Sequence, residues 1–326
     1  MGWRRLLGAA LLGLALMGLA VPAWAAGTAC PPEPAPLRAE QVQEGQRQAL
    51  DRGFLWAVKQ GGRTSWLYGT VHVARLPWMF PGPAVMKALN ASRTVALELD
   101  MLDPDIARRL TAAVVAPKGQ PPLPAPLARR LAQQAEAMCA GPALAPLRPE
   151  MQAMTLVALA GRRLGLEPAY GIDGFLAGMA RGLGKPVISL ETPESQIALL
   201  LQPTRAASEA LIASTLDELE NGRALRTMQR LAEAWGAGQL DELASYAQWC
   251  DCMNTAEQRA FQRRLIDERN LVLADKLAAL HRDSGPVFAA VGALHMTGPE
   301  GLPALLAARG FEVERVPYPA ALGFTR

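Results

Sequence analysis

Short apolar segments alternate with long helical stretches along most of this chain, and this order restricts the fold more than any other feature of the sequence. Strand-like segments lie at 92–100, 185–195 and 285–295. The sequence between them contains helix-capping residues and first-turn prolines. The segment 285–295 is a continuous apolar run, which indicates a strand buried on both faces. Strands separated by helices predict an α/β fold with an at least partly parallel sheet and helices on its faces.

Three further strands and a large helical block complete this prediction. "GFLWAVKQGGRTSWLYGT" (53–70) gives two apolar runs about a Gly-Gly turn, which predicts a β-hairpin. Residues 310–318 alternate like a closing strand, and residues 193–281 read as a long helical insertion or cap over the sheet. No linker is strong enough to divide the chain, so we expect residues 26–326 to form a single domain.

Chemically capable side chains stand where four of the predicted strands end. They are His72, Glu98, Glu191 and His295. The two histidines share a Gly-x-x-His spacing, with Gly69 and Gly292 as the glycines that would let the backbone turn. Because ligands of parallel α/β sheets bind outside the carboxyl ends of the strands, we expect these side chains to converge.

Two imidazoles and a carboxylate that arrive from different strands suit a divalent metal that activates water. The same set suits a metal-free attack by water, with one base and one electrostatic partner. Each residue also has a structural interpretation: a strand-end histidine is often a satisfied buried group, and a glutamate there can cap the next helix. Glu98 has the stronger functional claim, because it interrupts the apolar run "VALELD", where an idle charge is costly.

Polar residues on the predicted helices give four further expectations. Arg269 falls on the apolar stripe of its helix, so it faces inward and needs an anionic partner, which is either a protein carboxylate or the substrate. Asn270 is expected to be a polar contact beside it. Asp173 reads as the N-cap of a short helix, and His281 as an exposed residue that interacts with a helix dipole.

The first 25 residues read as a secretory signal peptide. Arg4 and Arg5 precede an apolar run at 6–20, and the small residues of Ala23-Trp24-Ala25 favour cleavage after Ala25. The run is too short for an ordinary transmembrane helix, which disfavours an uncleaved anchor. We therefore expect a periplasmic or secreted protein with no stable membrane span.

The charge balance of the chain without its signal peptide restricts the possible partners, and the cysteines predict disulfides. The chain has 33 basic and 30 acidic residues, and removing Arg4 and Arg5 leaves 31 basic residues against 30 acidic ones. A near-neutral chain without basic runs disfavours nucleic acid as a partner. Its four cysteines, in an exported protein, predict disulfides. A bond within Cys250-Asp251-Cys252 would be strained, so we expect Cys30 and Cys139 each to pair with one of these two.

Taken together, the export signal and several segments resemble the TraB/GumN family. The segments are "FLWAVKQGGRTSWLYGTVHVARLPWMFPGP", "VALELD", "YGIDGFLAGMARGLGKPVISLETPESQ", "ERN" and "VGALHMTGPEGLPALLAARGFEVERV". The likeness covers about residues 50–318. That family is similar to the Tiki metalloproteases and more distantly to erythromycin-esterase-like and ChaN-like proteins.

The resemblance implies an α/β fold with a split central sheet and an active site built from Gly69, His72, Glu98, Gly292 and His295. Glu191, Arg269 and Asn270 match recurrent family positions of less certain role. Tiki-like members are manganese- or cobalt-dependent peptidases, and pheromone-control members are thought to inactivate or sequester short peptides.

Three functions are compatible with these observations. The first is an exported metal-dependent hydrolase, chiefly a peptidase, with a manganese, cobalt or zinc ion on His72, His295 and Glu98. In it Glu98 is the third ligand or the general base, and Arg269 steadies a substrate carboxylate or the oxyanion. The second is a metal-free, esterase-like hydrolase. The third is a peptide-binding protein that sequesters its ligand without cleaving it.

Overall fold

The computed structural model describes residues 30–318. The predicted signal peptide, residues 1–25, lies outside them. From Pro31 onward the described residues form one compact unit. Among the described residues, no helix is both long enough and apolar enough to cross a membrane.

A six-stranded mixed sheet forms the centre of this unit. The strands are Phe54–Gln60 (β1), Arg63–Thr70 (β2), Thr94–Leu97 (β3), Val187–Ser189 (β4), Val287–Gly292 (β5) and Glu312–Arg315 (β6). Their order across the sheet is β4-β3-β5-β2-β1-β6. Strands β4, β3, β5 and β2 are parallel neighbours, whereas β1 is antiparallel to both β2 and β6. The predicted α/β class is confirmed, but the split that the resemblance implies is absent from the described residues, where the six strands form one continuous sheet.

The hairpin between β1 and β2 follows directly from its two glycines. Phe54 pairs with Gly69 at one end of the hairpin and Gln60 with Arg63 at the other, which leaves a two-residue turn. Both turn residues, Gly61 and Gly62, have positive φ angles of 58° and 74°. Such a turn matches the right-handed twist of the strands and favours glycine at both positions.

Fifteen α-helices surround the sheet in the described part of the chain. They are Ala39–Arg47 (α1), Pro83–Ala91 (α2), Pro104–Val114 (α3), Ala125–Ala137 (α4), Gly141–Leu144 (α5), Pro149–Leu159 (α6), Ile172–Gly182 (α7), Pro193–Leu200 (α8), Arg205–Glu220 (α9), Arg223–Gly236 (α10), Leu240–Ala244 (α11), Tyr246–Trp249 (α12), Ala256–Leu265 (α13), Asp267–Ser284 (α14) and Leu302–Ala308 (α15). Short 3₁₀ turns occur at Leu76–Met79, Ala160–Leu164, Pro168–Tyr170 and Ala293–Met296.

The helical cap has a hydrophobic core of its own. Besides the main core around the sheet, a second cluster joins α4, α5 and α6 to α9 through residues such as Leu131, Leu156, Ile212 and Leu216. The cap therefore combines two stretches of the chain, one before and one after β4. The sequence assigned only the later stretch, 193–281, to a cap, because local patterns do not reveal which helices pack together.

His281 is buried rather than exposed, so the prediction for this residue is wrong. Only 2% of it is accessible to solvent. The Ser65 hydroxyl donates to its Nδ1 at 2.7 Å, and its Nε2–H donates to the Gln60 carbonyl at 3.0 Å. The imidazole therefore fastens α14 to the β1–β2 hairpin, and both of its nitrogens have partners.

The predicted disulfide pairing is also wrong, although the presence of disulfides is confirmed. Cys250 is bonded to Cys252, with their Cα atoms 5.1 Å apart. Cys30 and Cys139 are both disulfide-bonded as well. Asp251 adopts a left-handed conformation, with φ of 52°, which aspartate tolerates better than most residues. Its carboxylate accepts hydrogen bonds from Arg223 and Asn254, which support this backbone conformation.

Peptide mapping of the unreduced protein checks this connectivity. Trypsin cleavage after Arg230 and Arg259 releases residues 231–259, which contain Cys250 and Cys252 and no other cysteine. We expect this peptide to appear unlinked, and to gain only the mass of the hydrogens added when it is reduced. A 231–259 peptide that is cross-linked to a fragment containing Cys30 or Cys139 would contradict the structure.

Candidate functional site

The parallel strands place the four strand-end residues at one edge of the sheet. His72 follows β2, Glu98 follows β3, Glu191 follows β4, and His295 lies in the 3₁₀ turn after β5. Since β2, β5, β3 and β4 run in the same direction, their carboxyl ends meet at the same edge. The structure therefore brings together the residues that the sequence singled out.

Gly292 lies at the centre of this group. A Cβ atom added to it would lie 3.2 Å from Glu98 Oε1, 3.4 Å from His72 Nε2 and 3.7 Å from His295 Cδ2. A larger residue would therefore enter the space between these side chains. Gly69 has a different role, because an added Cβ would meet core atoms of Met296 and Ala293 at 3.2 and 3.3 Å. That glycine allows the hairpin to pack closely on the chain that follows β5.

His72 is oriented by Asp173, a residue that the sequence interpretation misplaced. Asp173 lies within α7, whose N-cap is Gly171, so the predicted N-cap role is wrong. Its carboxylate accepts the His72 Nδ1–H at 2.8 Å. A Cβ on Gly171 would lie 2.6 Å from the His72 carbonyl oxygen, so glycine lets the start of α7 approach the end of β2. Nothing in the local sequence distinguishes Asp173 from an ordinary aspartate in the first turn of a helix.

His295 is oriented in a similar way by Asn270. The His295 Nδ1–H donates to Asn270 Oδ1 at 2.6 Å, while Asn270 Nδ2 donates to the Glu300 carbonyl at 2.8 Å. Asn270 has no exposed surface and does not line the cavity described below. In the structure this residue positions His295, and its part in catalysis stays a prediction. In both histidines Nδ1 is held by an oxygen and Nε2 is directed towards the site.

Arg269 uses all five of its N–H groups within the protein. Its Nη2 donates to Glu98 and to Glu191, and its Nε donates to Glu191 at 2.9 Å. Its Nη1 donates to the Leu265 carbonyl at 2.9 Å and to His295 Nε2 at 3.1 Å. Of the two anionic partners left open by the sequence, the structure selects protein carboxylates. All five N–H groups have protein partners in the described structure, and the contact of Arg269 with substrate stays a prediction.

The carboxylate of Glu98 is the most heavily engaged group of the site. Its Oε1 accepts the Gly292 N–H at 2.8 Å and lies 3.8 Å from His72 Nε2. Its Oε2 accepts from Arg269 and, at 3.2 Å, from Gln196 Nε2. Gln196 also donates to Glu191 at 3.0 Å, and it is a second residue of this group that the sequence did not reveal.

These contacts move the pKa values of the three reactive side chains apart. The Asp173 carboxylate, assisted by Glu98, raises the pKa of His72 to about 9, although 62% of the His72 side chain is exposed. Burial alone would raise the pKa of Glu98, but His72, His295 and Arg269 lower it to about 2. Burial lowers the pKa of His295 to about 4. At neutral pH the site therefore holds an ionised Glu98, a protonated His72 and a neutral His295.

The described arrangement does not fit a metal ion held jointly by His72, Glu98 and His295. The lone pair of His295 Nε2 accepts from Arg269, and that guanidinium also covers one oxygen of Glu98. Within residues 30–318, no group of three or more His, Cys, Asp or Glu side chains is placed to hold a metal. The predicted ligand set remains a prediction.

A cavity of about 560 Å³ adjoins the site. Its wall includes His72, Glu98, Arg269 and His295 at the sheet edge. The rest of the wall is mostly apolar and comes largely from the helices of the cap and from the junction of α13 and α14. The volume lies within the range of pockets that bind small ligands. Glu98 and His72 thus face a space where a substrate can meet both of them.

Comparison with known proteins identifies a family and two relatives of this chain. Residues 54–315 match the sequence model of the TraB/PrgY/gumN family. A protein of Shigella flexneri described as "Uncharacterized protein YbaP" is 32% identical over 259 residues, which are 76% of this chain and 89% of that protein. The protein of the same description from Escherichia coli (strain K12) is 30% identical over 279 residues, or 77% of this chain and 96% of that protein. No solved structure matches.

The family match spans all six strands and every strand-end residue of the site. Similarity to the Tiki metalloproteases stays a prediction, since neither of these relatives carries a described activity. The chain belongs to the TraB/PrgY/gumN family.

Proposed function

We propose that this protein is a hydrolase that cleaves an ester or amide bond with water activated between Glu98 and His72. One observation supports this proposal above the others. An ionised carboxylate and a protonated imidazole face each other across 3.8 Å at the wall of the cavity, and their pKa values are driven in opposite directions. A carboxylate and an imidazole at this distance can serve as the base and the acid of a hydrolytic site.

In the proposed reaction, Glu98 is the base and His72 is the acid. A water molecule bonded to Glu98 Oε1 gives a proton to that oxygen and attacks the substrate carbonyl carbon. His72 Nε2–H stabilises the developing oxyanion. It then protonates the leaving oxygen or nitrogen as the bond between that atom and the carbonyl carbon breaks. The proton held by Glu98 returns to His72, which restores both groups.

The surrounding residues act indirectly, by positioning the groups around Glu98 and His72. Asp173 fixes the His72 tautomer with Nδ1–H and stabilises the imidazolium. Arg269 keeps Glu98 ionised and correctly turned, and Asn270 holds His295 with its neutral Nε2 against Arg269. None of these three needs to touch the substrate.

The compartment forms part of the proposal. We assign the protein to the periplasm or the exterior of the cell, because the predicted signal peptide and the disulfides both suit an oxidising environment. Peptides remain one candidate substrate class and carboxylic esters another, since the same base and acid serve both.

Hydrolysis assays with and without a chelator test this function. Purified protein with its disulfides intact is offered a peptide library and a set of p-nitrophenyl esters, before and after dialysis against EDTA. We expect hydrolysis that survives the chelator. Loss of the rate after dialysis, with recovery on addition of manganese, cobalt or zinc, would instead favour the metal-dependent hydrolase. Tight binding of peptides without turnover in any condition would favour sequestration.

The pH dependence of kcat/KM gives a sharper prediction. The active form needs His72 protonated, so the rate should fall as pH rises through about 9. The Asp173 charge is the largest cause of that raised pKa, and Asp173→Asn should therefore move the alkaline limb to lower pH. Asp105→Asn, on the exposed surface of α3, serves as a control that should leave the limb in place. An unchanged alkaline limb in Asp173→Asn would contradict the role given to His72.

A further inference from the structure

The cavity beside Glu98 and His72 is polar at the sheet edge and apolar over most of the remaining wall. The apolar part is formed by side chains that include Val157, Leu199, Met228, Leu231, Leu265 and Leu294. They come from α6, α8, α10, α13 and the turn after β5, so five separate segments contribute apolar surface to one space. A ligand that fills this space gains mainly from the burial of hydrocarbon.

The wall offers few hydrogen-bonding partners away from the strand ends. Its polar side chains there are Gln196, Glu218, Thr227 and Tyr246. Gln196 already donates to Glu98 and Glu191. Glu218 forms an ion pair with Arg223 at 3.5 Å. The Tyr246 hydroxyl donates a hydrogen bond to the Cys252 sulfur at 3.3 Å. Most of the wall is helical, and helices use their backbone N–H and C=O groups internally.

This distribution discriminates between two kinds of ligand. A peptide that enters the cavity brings one N–H and one C=O for nearly every residue, and each of these groups is costly to bury without a partner. A hydrocarbon chain brings none. The charged groups of the wall that can meet a ligand carbonyl are concentrated at the sheet edge, where Glu98 and His72 stand.

We propose that the cavity is an acyl-chain subsite, so that the substrate is an ester or amide of an acyl group with a hydrocarbon chain. The carbonyl lies beside Glu98 and His72, and the chain extends between the helices of the cap. This inference rests on the proposed hydrolase, because it uses the same carbonyl position. It adds the chemical class of the acyl part, and it predicts that chain length controls both binding and turnover.

Binding of unreactive ketones tests the subsite independently of catalysis. 2-Alkanones from butanone to dodecanone carry the carbonyl but have no leaving group, and calorimetry gives their Kd for the wild-type protein. We expect Kd to fall about fourfold for each added methylene, which corresponds to ~0.8 kcal/mol per buried CH₂, until the chain outgrows the cavity. Kd values that do not depend on chain length would overturn the subsite.

A pair of variants on α10 locates the effect. Met228→Gln places an amide of similar length in the apolar wall and should weaken binding of the longest ketones about fivefold or more. Gln229→Met, the reverse exchange at the next residue and outside the cavity wall, should leave their Kd unchanged. Equal effects of the two variants, or none in Met228→Gln, would show that the chain does not lie against this wall.

Ester hydrolysis separates failure of the subsite from failure of the hydrolase. With p-nitrophenyl esters, kcat/KM should rise from acetate to octanoate. Equal rates for all chain lengths would overturn the acyl subsite and keep the hydrolase. Chain-dependent ketone binding without hydrolysis of any ester would keep the subsite and overturn the hydrolase. Apolar peptides that bind more tightly than ketones of equal carbon number would overturn the acyl assignment.

Discussion

Replacing Glu98 with glutamine is expected to lower kcat/KM by about 10²-fold or more while the protein stays folded. Glutamine keeps the size of the side chain and an oxygen that accepts the Gly292 N–H, a bond of 2.8 Å in the structure. It cannot take a proton from water at neutral pH. The rate of ester or peptide hydrolysis measures the loss, and circular dichroism with thermal unfolding checks that the fold persists.

Glu191→Gln is the matched control for this experiment. Glu191 pairs with the same arginine and the same glutamine as Glu98, so its replacement removes one negative charge from the same cluster. Unlike Glu98, Glu191 does not form part of the cavity wall. We expect Glu191→Gln to keep most of the rate. If the two variants lose the same activity, the effect is electrostatic and Glu98 is not the base.

Replacing Arg269 with methionine is expected to lower the free energy of unfolding by about 3–5 kcal/mol. The side chains of Arg269, Glu98 and Glu191 are only 12%, 10% and 10% exposed. Loss of the guanidinium leaves two carboxylates close together in a poorly hydrated site without their cation. Methionine retains the apolar stem of the arginine, so the measured loss reports the charge rather than packing. Urea unfolding at neutral pH gives the value.

Two further variants determine whether this loss comes from buried charge. In the triple variant Arg269→Met, Glu98→Gln, Glu191→Gln the uncompensated charges are gone, and we expect most of the stability to return. Arg109→Met removes an arginine that pairs with Glu194 on the surface, and it should leave the free energy of unfolding almost unchanged. A triple variant as unstable as Arg269→Met alone would show that shape or hydrogen bonding, rather than charge, accounts for the effect.

The sequence by itself determined the direction of the strands and therefore the location of the site. A Gly-Gly turn between two apolar runs defines the hairpin, and helices between the later strands impose parallel pairing. Parallel strands end at one edge of their sheet. For that reason the positions of His72, Glu98, Glu191 and His295 after their strands were sufficient to predict that they meet.

Only the tertiary structure decided what each neighbouring side chain does. Arg269 was predicted to face inward, but four of its five hydrogen bonds depend on three segments that are distant in sequence, those of Glu98, Glu191 and His295. Asp173 resembles an ordinary first-turn aspartate until α7 docks against the end of β2. Asn270 is adjacent to Arg269 in the chain, yet it points to His295, since successive helical residues face different directions.

The disulfide within 250–252 and the cavity also depend on tertiary contacts that the sequence does not reveal. The bond between Cys250 and Cys252 depends on a left-handed Asp251 that Arg223 and Asn254 support, and none of these contacts has a sequence signature. The apolar cavity exists because helices from both sides of β4 along the chain pack together over the sheet edge. Periodicity shows which face of a helix is apolar, whereas the partner of that face is selected by packing across the whole chain.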